Sequence, residues 1–212
     1  HFSTIGLIGM NEAGLNAAWL GKGLEDPKTQ QFTKEVLNHM RERLSDYQEE
    51  YGDLYNLEAT PAESTAYRLA KHDRAKWPDI KTAGHEGDTP YYTNSSHLPV
   101  DYTEDIFSAL DIQDDLQTLY TSGTVFHAFL GEKLPDWKAA ASLVRKIAEN
   151  YKLPYYTLAS TLHVRSAEKR QRFTAVSRDI TVRSRTGTTE NARSTRTELY
   201  MISSTPNRRS RK

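Results

Sequence analysis

The chain has 212 residues, 28 of them basic and 28 acidic, so its net charge of zero points to no partner. It has no cysteine, which excludes disulfides, thiolate zinc sites and thiol nucleophiles within this chain. No apolar run approaches the roughly 20 residues that span a bilayer, and no signal-peptide pattern is present, so the expectation is a cytoplasmic protein with no membrane partner. The average charge hides a split: His1 to Ala159 carries 15 Lys and Arg against 24 Asp and Glu, whereas Ser160 to Lys212 carries 13 against 4. All three tryptophans, Trp19, Trp77 and Trp137, lie in the first part, and Phe173 and Tyr200 are the only aromatics of the second. The chain opens at His1 directly in an apolar run and reads as a piece of something longer.

Phe2 to Gly9 is short, apolar and punctuated by glycine, the pattern of a buried strand. Asn11 is placed to cap a helix running to about Leu20, with Gly21 and Gly23 ending it. Asp26-Pro27 opens a longer helix, in which Phe32, Val36, Met40, Leu44 and Tyr47 recur at helical spacing and read as core. Tyr51 to Ala59 returns as a strand.

The next turn carries stacked signals. Thr60 is a good N-cap, Pro61 suits the first helical position, and Glu63 completes a capping box. Ala62, Ser64 and Thr65 fill the same turn of a helix predicted to reach about His72. A helix that starts abruptly after a strand presents free N–H groups and the positive end of its dipole, which is the ground plan of a phosphate seat. An ordinary capped helix shows the same signals, and Glu63 adds a negative charge that a phosphate would not welcome.

Asp73 to Val100 is irregular, with Pro90 to Ser96 as a short strand entering a loop. Thr103 is predicted to cap a helix with Glu104 and Asp105 in its first turn and Ile106, Phe107, Leu110 and Leu116 to Tyr120 on its apolar face. Thr124 to Leu130 is a β-rich run. A helix from Pro135 places Trp137, Ala140, Val144, Ile147 and Tyr151 on one face, and Pro154 to Leu158 is the last strand. This alternation predicts an α/β architecture. Beyond Leu158 neither period continues, and the basic, Ser/Thr-rich stretch reads as an irregular tail.

Several words of the first 158 residues are specific. They are Ser3 to Ala13, Asn56 to Glu63, Pro90 to Asn94, Leu98 to Thr103, Leu116 to His127 and Tyr151 to Tyr155. In this order they closely resemble the C-terminal part of the catalytic domain of anaerobic (class III, glycyl-radical) ribonucleoside-triphosphate reductases. The resemblance implies a ten-stranded α/β barrel around the reacting ribose, of which this chain holds the C-terminal portion. It implies that Thr60, Pro61, Ala62, Glu63, Ser64 and Thr65 form the helix start that holds the substrate phosphates through backbone N–H groups. Asn11, Glu12 and Asn94 are candidate pocket-lining residues; a helix cap and a surface carboxylate remain the plain alternatives for Asn11 and Glu12. Ser64 and Ser122 stand where the family is expected to have glycine.

The family is also expected to continue with a Cys-x-x-Cys zinc motif and a loop bearing the radical glycine. Neither is present, and a shifted reading frame accounts for both. Asp179 to Asn191 is compatible with codons that, read one base earlier, give GYYRPVQNWNDGK, the glycyl-radical loop. The same shift makes Val164 to Ala167 compatible with Cys-Pro-Glu-Cys, and Ala192 onward with CAEYKNR. Residues 1–159 are therefore read as a partial catalytic barrel domain, and residues 160–212 as an out-of-frame translation of the zinc and radical region.

The resemblance implies reduction of ribonucleoside triphosphates to 2′-deoxyribonucleotides. The full-length enzyme would be a homodimer whose glycyl radical is made by a radical-SAM activating enzyme, with a structural zinc and with formate as reductant. With neither radical glycine nor zinc ligands, this chain is expected to be inactive alone and to have no metal or catalytic residue of its own. Two other classes stay open: a glycyl-radical enzyme related to pyruvate formate-lyase, which should lack the phosphate seat, and a nucleic-acid-binding protein using the basic tail, whose binding would be steeply salt-dependent. The frame-shifted origin of the tail argues for no nucleic-acid partner.

Overall fold

In a computed structural model the described residues are 1–60, 62–84, 89–100, 102, 105–130, 134–159 and 180–183. They form a mixed α/β structure built around two small sheets. Strand β1 (Phe2–Ile5) pairs in parallel with β2 (Leu54–Leu57), Thr4 lying opposite Asn56. The crossover between them contains α1 (Met10–Asn16) and α2 (Pro27–Tyr51), as a parallel connection requires. After β2 come α3 (Glu63–Lys76) and α4 (Ile106–Gln117). Strand β3 (Phe126–Phe129), α5 (Trp137–Asn150) and β4 (Tyr155–Ala159) form a second parallel unit.

The sequence-predicted order of strands and helices is present except for the short strand expected at Pro90 to Ser96, where Tyr91 and Asn94 make only isolated bridges to Ala83 and Ile8; the other corrections are local. The start of α1 is capped by Gly9 at φ 77°, not by Asn11, which lies inside the helix; the helix stops at Asn16. On α2, Asp26 accepts from the Lys28 N–H at 2.9 Å and Gly52, at φ 71°, closes the C-terminus. Its inward stripe holds at Met40, Leu44 and Tyr47, but in the first half Thr33 and Leu37 turn inward and Phe32 and Val36 flank the seam. The helix α4 is capped by Asp105, whose carboxylate accepts from the Phe107 and Ser108 N–H groups; the expected cap Thr103, with Glu104, lies outside the described residues. The Ser108 hydroxyl also donates to Asp105 Oδ2 at 2.6 Å, and this bond foremost, with the two N–H bonds, holds the Asp105 carboxyl below its ordinary pKa. Trp137, expected on the buried face of α5, is 74% exposed at the first helical position, ahead of Val144 and Ile147, the helix's buried residues.

Two strand expectations also change. All four residues of β1 are exposed, because β2 is its one neighbour among the described residues. Past Leu158, where periodicity ends, Ile180–Arg183 forms β5, antiparallel to β4 with Leu158 opposite Ile180. Ile-Thr-Val is a β-branched run, which suits a strand even in a basic context. The rest of the segment 160–212 lies outside the described residues.

Two cores hold these units. Leu110 of α4, Val144 and Ile147 of α5, Leu153, and Phe126, Ala128, Tyr156 and Leu158 of the β3–β4 sheet form one. Leu37 and Leu44 of α2, with Leu57, Ala59 and Tyr120, form the other. The segment 121–123 joins the sheets: Thr121 and Ser122 N–H groups donate to Leu57 O, both at 3.0 Å, and Ala59 N–H donates to Gly123 O at 2.9 Å. Leu110 is wholly buried in the first core. Leu110→Ala is expected to lower unfolding free energy by about 2–5 kcal/mol in urea titration, because both apolar area and packing contacts are lost.

Candidate functional site

The site is organised by the chain that continues from β1 into α1, residues 6–12. On one side lies the extension of β2: Glu58 N–H donates to Ile5 O at 2.9 Å. A Cβ at Gly6 would stand 2.7 Å from both Glu58 O and Thr60 Oγ1, so glycine is what lets these backbones meet. On the other side lie residues 93–95. Gly9 N–H donates to Thr93 O at 2.8 Å, Met10 N–H to Ser95 O at 3.0 Å, and Ser95 Oγ to Leu7 O at 3.0 Å. Ile8 and Asn94 form an antiparallel bridge. Thr60 and Asn94, far apart in sequence, thus flank one short run of backbone.

Glu12 fastens this arrangement. It is 2% exposed and accepts from the Thr93 N–H and Thr93 Oγ1, both at 2.9 Å, and from Asn11 Nδ2 at 2.9 Å. Asn11, also buried, accepts from Leu24 N–H at 3.0 Å through its Oδ1. The alternatives of helix cap for Asn11 and surface carboxylate for Glu12 are therefore both overturned. Both side chains point their hydrogen-bonding atoms into the protein, where burial makes each unmade bond expensive.

The phosphate-seat stretch begins differently from its cap signals. The first residue of α3 is Glu63, and Ala62 is the N-cap, with no side chain bonding to it. Thr60 stays with the strand extension, its hydroxyl packed toward Gly6. The first intrahelical bond of this turn runs from Ala66 N–H to Ala62 O at 2.7 Å. By helix geometry the N–H groups of Glu63, Ser64 and Thr65 have no carbonyl behind them. Ser64 and Thr65 are exposed, Ala62 is half-buried, and Pro61 and the Glu63 side chain lie outside the described residues. The arrangement offers backbone donors at a positive dipole end.

Sequence reasoning missed the polar network beneath Asn94. Ser96, Gln113, Gln117, Tyr120 and Thr124 are all buried. Gln113 Nε2 donates to Ser96 O at 3.0 Å, Gln117 Nε2 to Gln113 Oε1 at 2.6 Å, and Thr124 Oγ1 to Gln117 Oε1. Ser96 Oγ and Tyr120 Oη are 2.8 Å apart, and burial pushes the Tyr120 phenol up. Glutamines at helical spacing inside an otherwise apolar stripe were the available signal, since i, i+4 places Gln113 and Gln117 on one face. Ser95 sits at φ 43°, a left-handed backbone, and is tied down by its bonds to Met10 N–H and Leu7 O.

His97 closes the loop, with Nδ1 3.0 Å from Asn94 O and Nε2 3.0 Å from Val125 O. Burial pushes its pKa below the ordinary 6.5, against the upward pull of the two carbonyls, and the charge of His127 adds to the lowering. A base whose folded pKa is depressed favours the neutral fold: its contribution is full above 6.5 and is lost as pH falls toward the folded value. The melting temperature is therefore expected to drop as pH falls below 6.5, and His97→Gln, which keeps one donor, should flatten that part of the profile. An unchanged pH profile in the variant would contradict this assignment.

Among the described residues no group of three or more His, Asp or Glu converges as a metal site, and no helix is long and apolar enough to cross a membrane.

A family model described as anaerobic ribonucleoside-triphosphate reductase matches residues 1–174. The anaerobic ribonucleoside-triphosphate reductase of Haemophilus influenzae is 28% identical over 123 residues, covering 58% of this chain and 17% of that protein. That of Salmonella typhimurium is 26% identical over 125 residues, with the same 58% and 17% coverage. The chain thus matches 17% of the length of these relatives. The anaerobic ribonucleotide reductase of Thermotoga maritima, in a crystal structure with MES in the active site, superimposes with a TM-score of 0.60 at 21% identity, over 85% of this chain and 31% of that one. Its structure in complex with dATP and CTP gives a TM-score of 0.55 at 23% identity, over 70% and 24%. These superpositions establish a shared fold. Together with the family match over most of its length, they place this chain in the anaerobic ribonucleoside-triphosphate reductase family.

Proposed function

We propose that the chain is a C-terminal part of the catalytic barrel of an anaerobic ribonucleoside-triphosphate reductase, and that the turn from β2 into α3 receives the substrate triphosphate. The observation that carries this reading is a helix start soon after β2 whose N-cap, Ala62, offers no side-chain bond, inside the region matched to the family. Residues 62–65 would hold phosphate oxygens with backbone N–H groups, Thr60 would fix the entry to the turn, and Asn11, Glu12 and Asn94 would form its floor. The two parallel units described above would be segments of the ten-stranded barrel, closed by strands from elsewhere in the full-length enzyme.

In that enzyme a glycyl radical, installed by a radical-SAM activating enzyme, would supply the radical chemistry for ribose reduction, with formate as reductant. The residues of this chain do not fit the rest of that apparatus. It contains no cysteine, so it has no thiolates for a structural zinc. The frame-shifted reading of residues 160–212 accounts for that lack, and on it the chain binds nucleotide but does not reduce it. Homodimer formation would belong to the complete enzyme.

Calorimetric titration with CTP, inorganic tripolyphosphate and cytidine tests the phosphate seat. CTP and tripolyphosphate should bind and cytidine should not. Ser64→Glu places a carboxylate at the helix start, where it favours the helix but repels phosphate. It should weaken CTP binding at least about tenfold without lowering the melting temperature. Equal affinity in the variant, or cytidine binding as well as CTP, would contradict the proposal.

A further inference from the structure

Strand β2 alternates. Tyr55 and Leu57 face α2 and join its core, so Leu54 and Asn56 face the opposite side, where Leu54 is exposed. Among the described residues, Asn56 Oδ1 is a buried side-chain oxygen to which no donor comes. Such an atom forgoes a bond it would make in water, a cost of about 1–3 kcal/mol that native proteins rarely carry without a use. Asn56 is flanked by exposed Thr4 on β1, and four residues further along its own strand the chain reaches Thr60 and the α3 start. At about 3.3 Å per residue that is about 13 Å of extended chain.

We infer that Asn56 is a specificity residue of the nucleotide site, its Oδ1 accepting a hydrogen bond from a ribose hydroxyl of the bound substrate. The inference rests on the phosphate-seat reading and deepens it. An amide oxygen recognises hydrogen-bond donors only. Ionised phosphates offer none, whereas the 2′ and 3′ hydroxyls are the donors of a nucleoside triphosphate that lie between its phosphates and its base. A site that waits with an unpaired acceptor rejects a ligand lacking the matching hydroxyl more sharply than an apolar site does, because the acceptor then stays unpaired. The free protein carries this cost, and it is recovered when a donor binds.

The test measures binding of CTP, UTP, 2′,3′-dideoxy-CTP and inorganic tripolyphosphate to the wild-type chain and to Asn56→Leu and Asn56→Ala, with thermal melts of all three proteins. The wild type should prefer CTP and UTP equally over the dideoxy compound, by about tenfold. Both variants should lose that preference while keeping the wild-type affinity for tripolyphosphate. Asn56→Leu should melt at or above the wild-type temperature, since it removes a buried unpaired oxygen; a residue with a purely structural role would lower it. Discrimination that survives in the variants, that follows the base amino group rather than the sugar, or that is absent from a wild type which binds tripolyphosphate overturns the role of Asn56 alone. Failure of the wild type to bind tripolyphosphate and CTP overturns the phosphate seat, and this inference with it.

Discussion

A buried carboxylate holds the site together. Glu12 lies on the short helix α1 and takes both donors of Thr93, a residue 81 positions away, at 2.9 Å each. No apolar contact could fix that pairing so narrowly, since hydrophobic burial has no direction. Three donors converge on one buried carboxylate, so any other placement of the 93–97 loop would leave several polar groups dry and unpaired. The loop then carries its own constraints: Ser95 in a left-handed backbone, Ser96 and Gln113 in a polar network, and His97 between two carbonyls. Asn94 is positioned as a consequence of these.

The same run of backbone serves the other side. Residues 6–9 are narrow at Gly6, where Glu58 and Thr60 press in, and turn sharply at Gly9, where the left-handed backbone starts α1. A side chain at either position would push the β2 extension or the loop away. The helix α2 packs its Leu37 and Leu44 against Leu57 and Ala59 and so sets the height of the β2 extension. The start of α3 follows from that height. The candidate phosphate donors, the loop floor and the unpaired oxygen of Asn56 therefore depend on one hydrogen-bonded strip whose far end is Glu12.

Much of this was legible in the sequence where a local signal matched a local cause. Asp26-Pro27 starts α2 where cap and proline say it should, and the β3–α5–β4 unit follows its hydrophobic period. Cap reading failed where tertiary contacts compete for the capping residue: Thr60 is held by the strand beside Gly6, so Ala62 becomes the N-cap, and glycine at a left-handed turn takes the role expected of Asn11. The burial of Asn11 and Glu12 could not be read locally, because their partners come from Leu24 and Thr93. Nor could the exposure of β1, which depends on which strands pair beside it. The quoted words of the resemblance are contained in the stretch that the family model matches, residues 1–174.

The Glu12 carboxylate, by accepting both donors of Thr93, positions the 93–97 loop beside the candidate site. Amide hydrogen exchange at Thr93, compared between the wild type and Glu12→Leu, tests it most directly. Leucine fills the space but accepts nothing, so the Thr93 amide should exchange about ten- to hundredfold faster, the equivalent of about 1–3 kcal/mol, while amides within α5 keep their protection. Unchanged protection at Thr93 in the variant would mean that the loop is held by other contacts and would contradict the account.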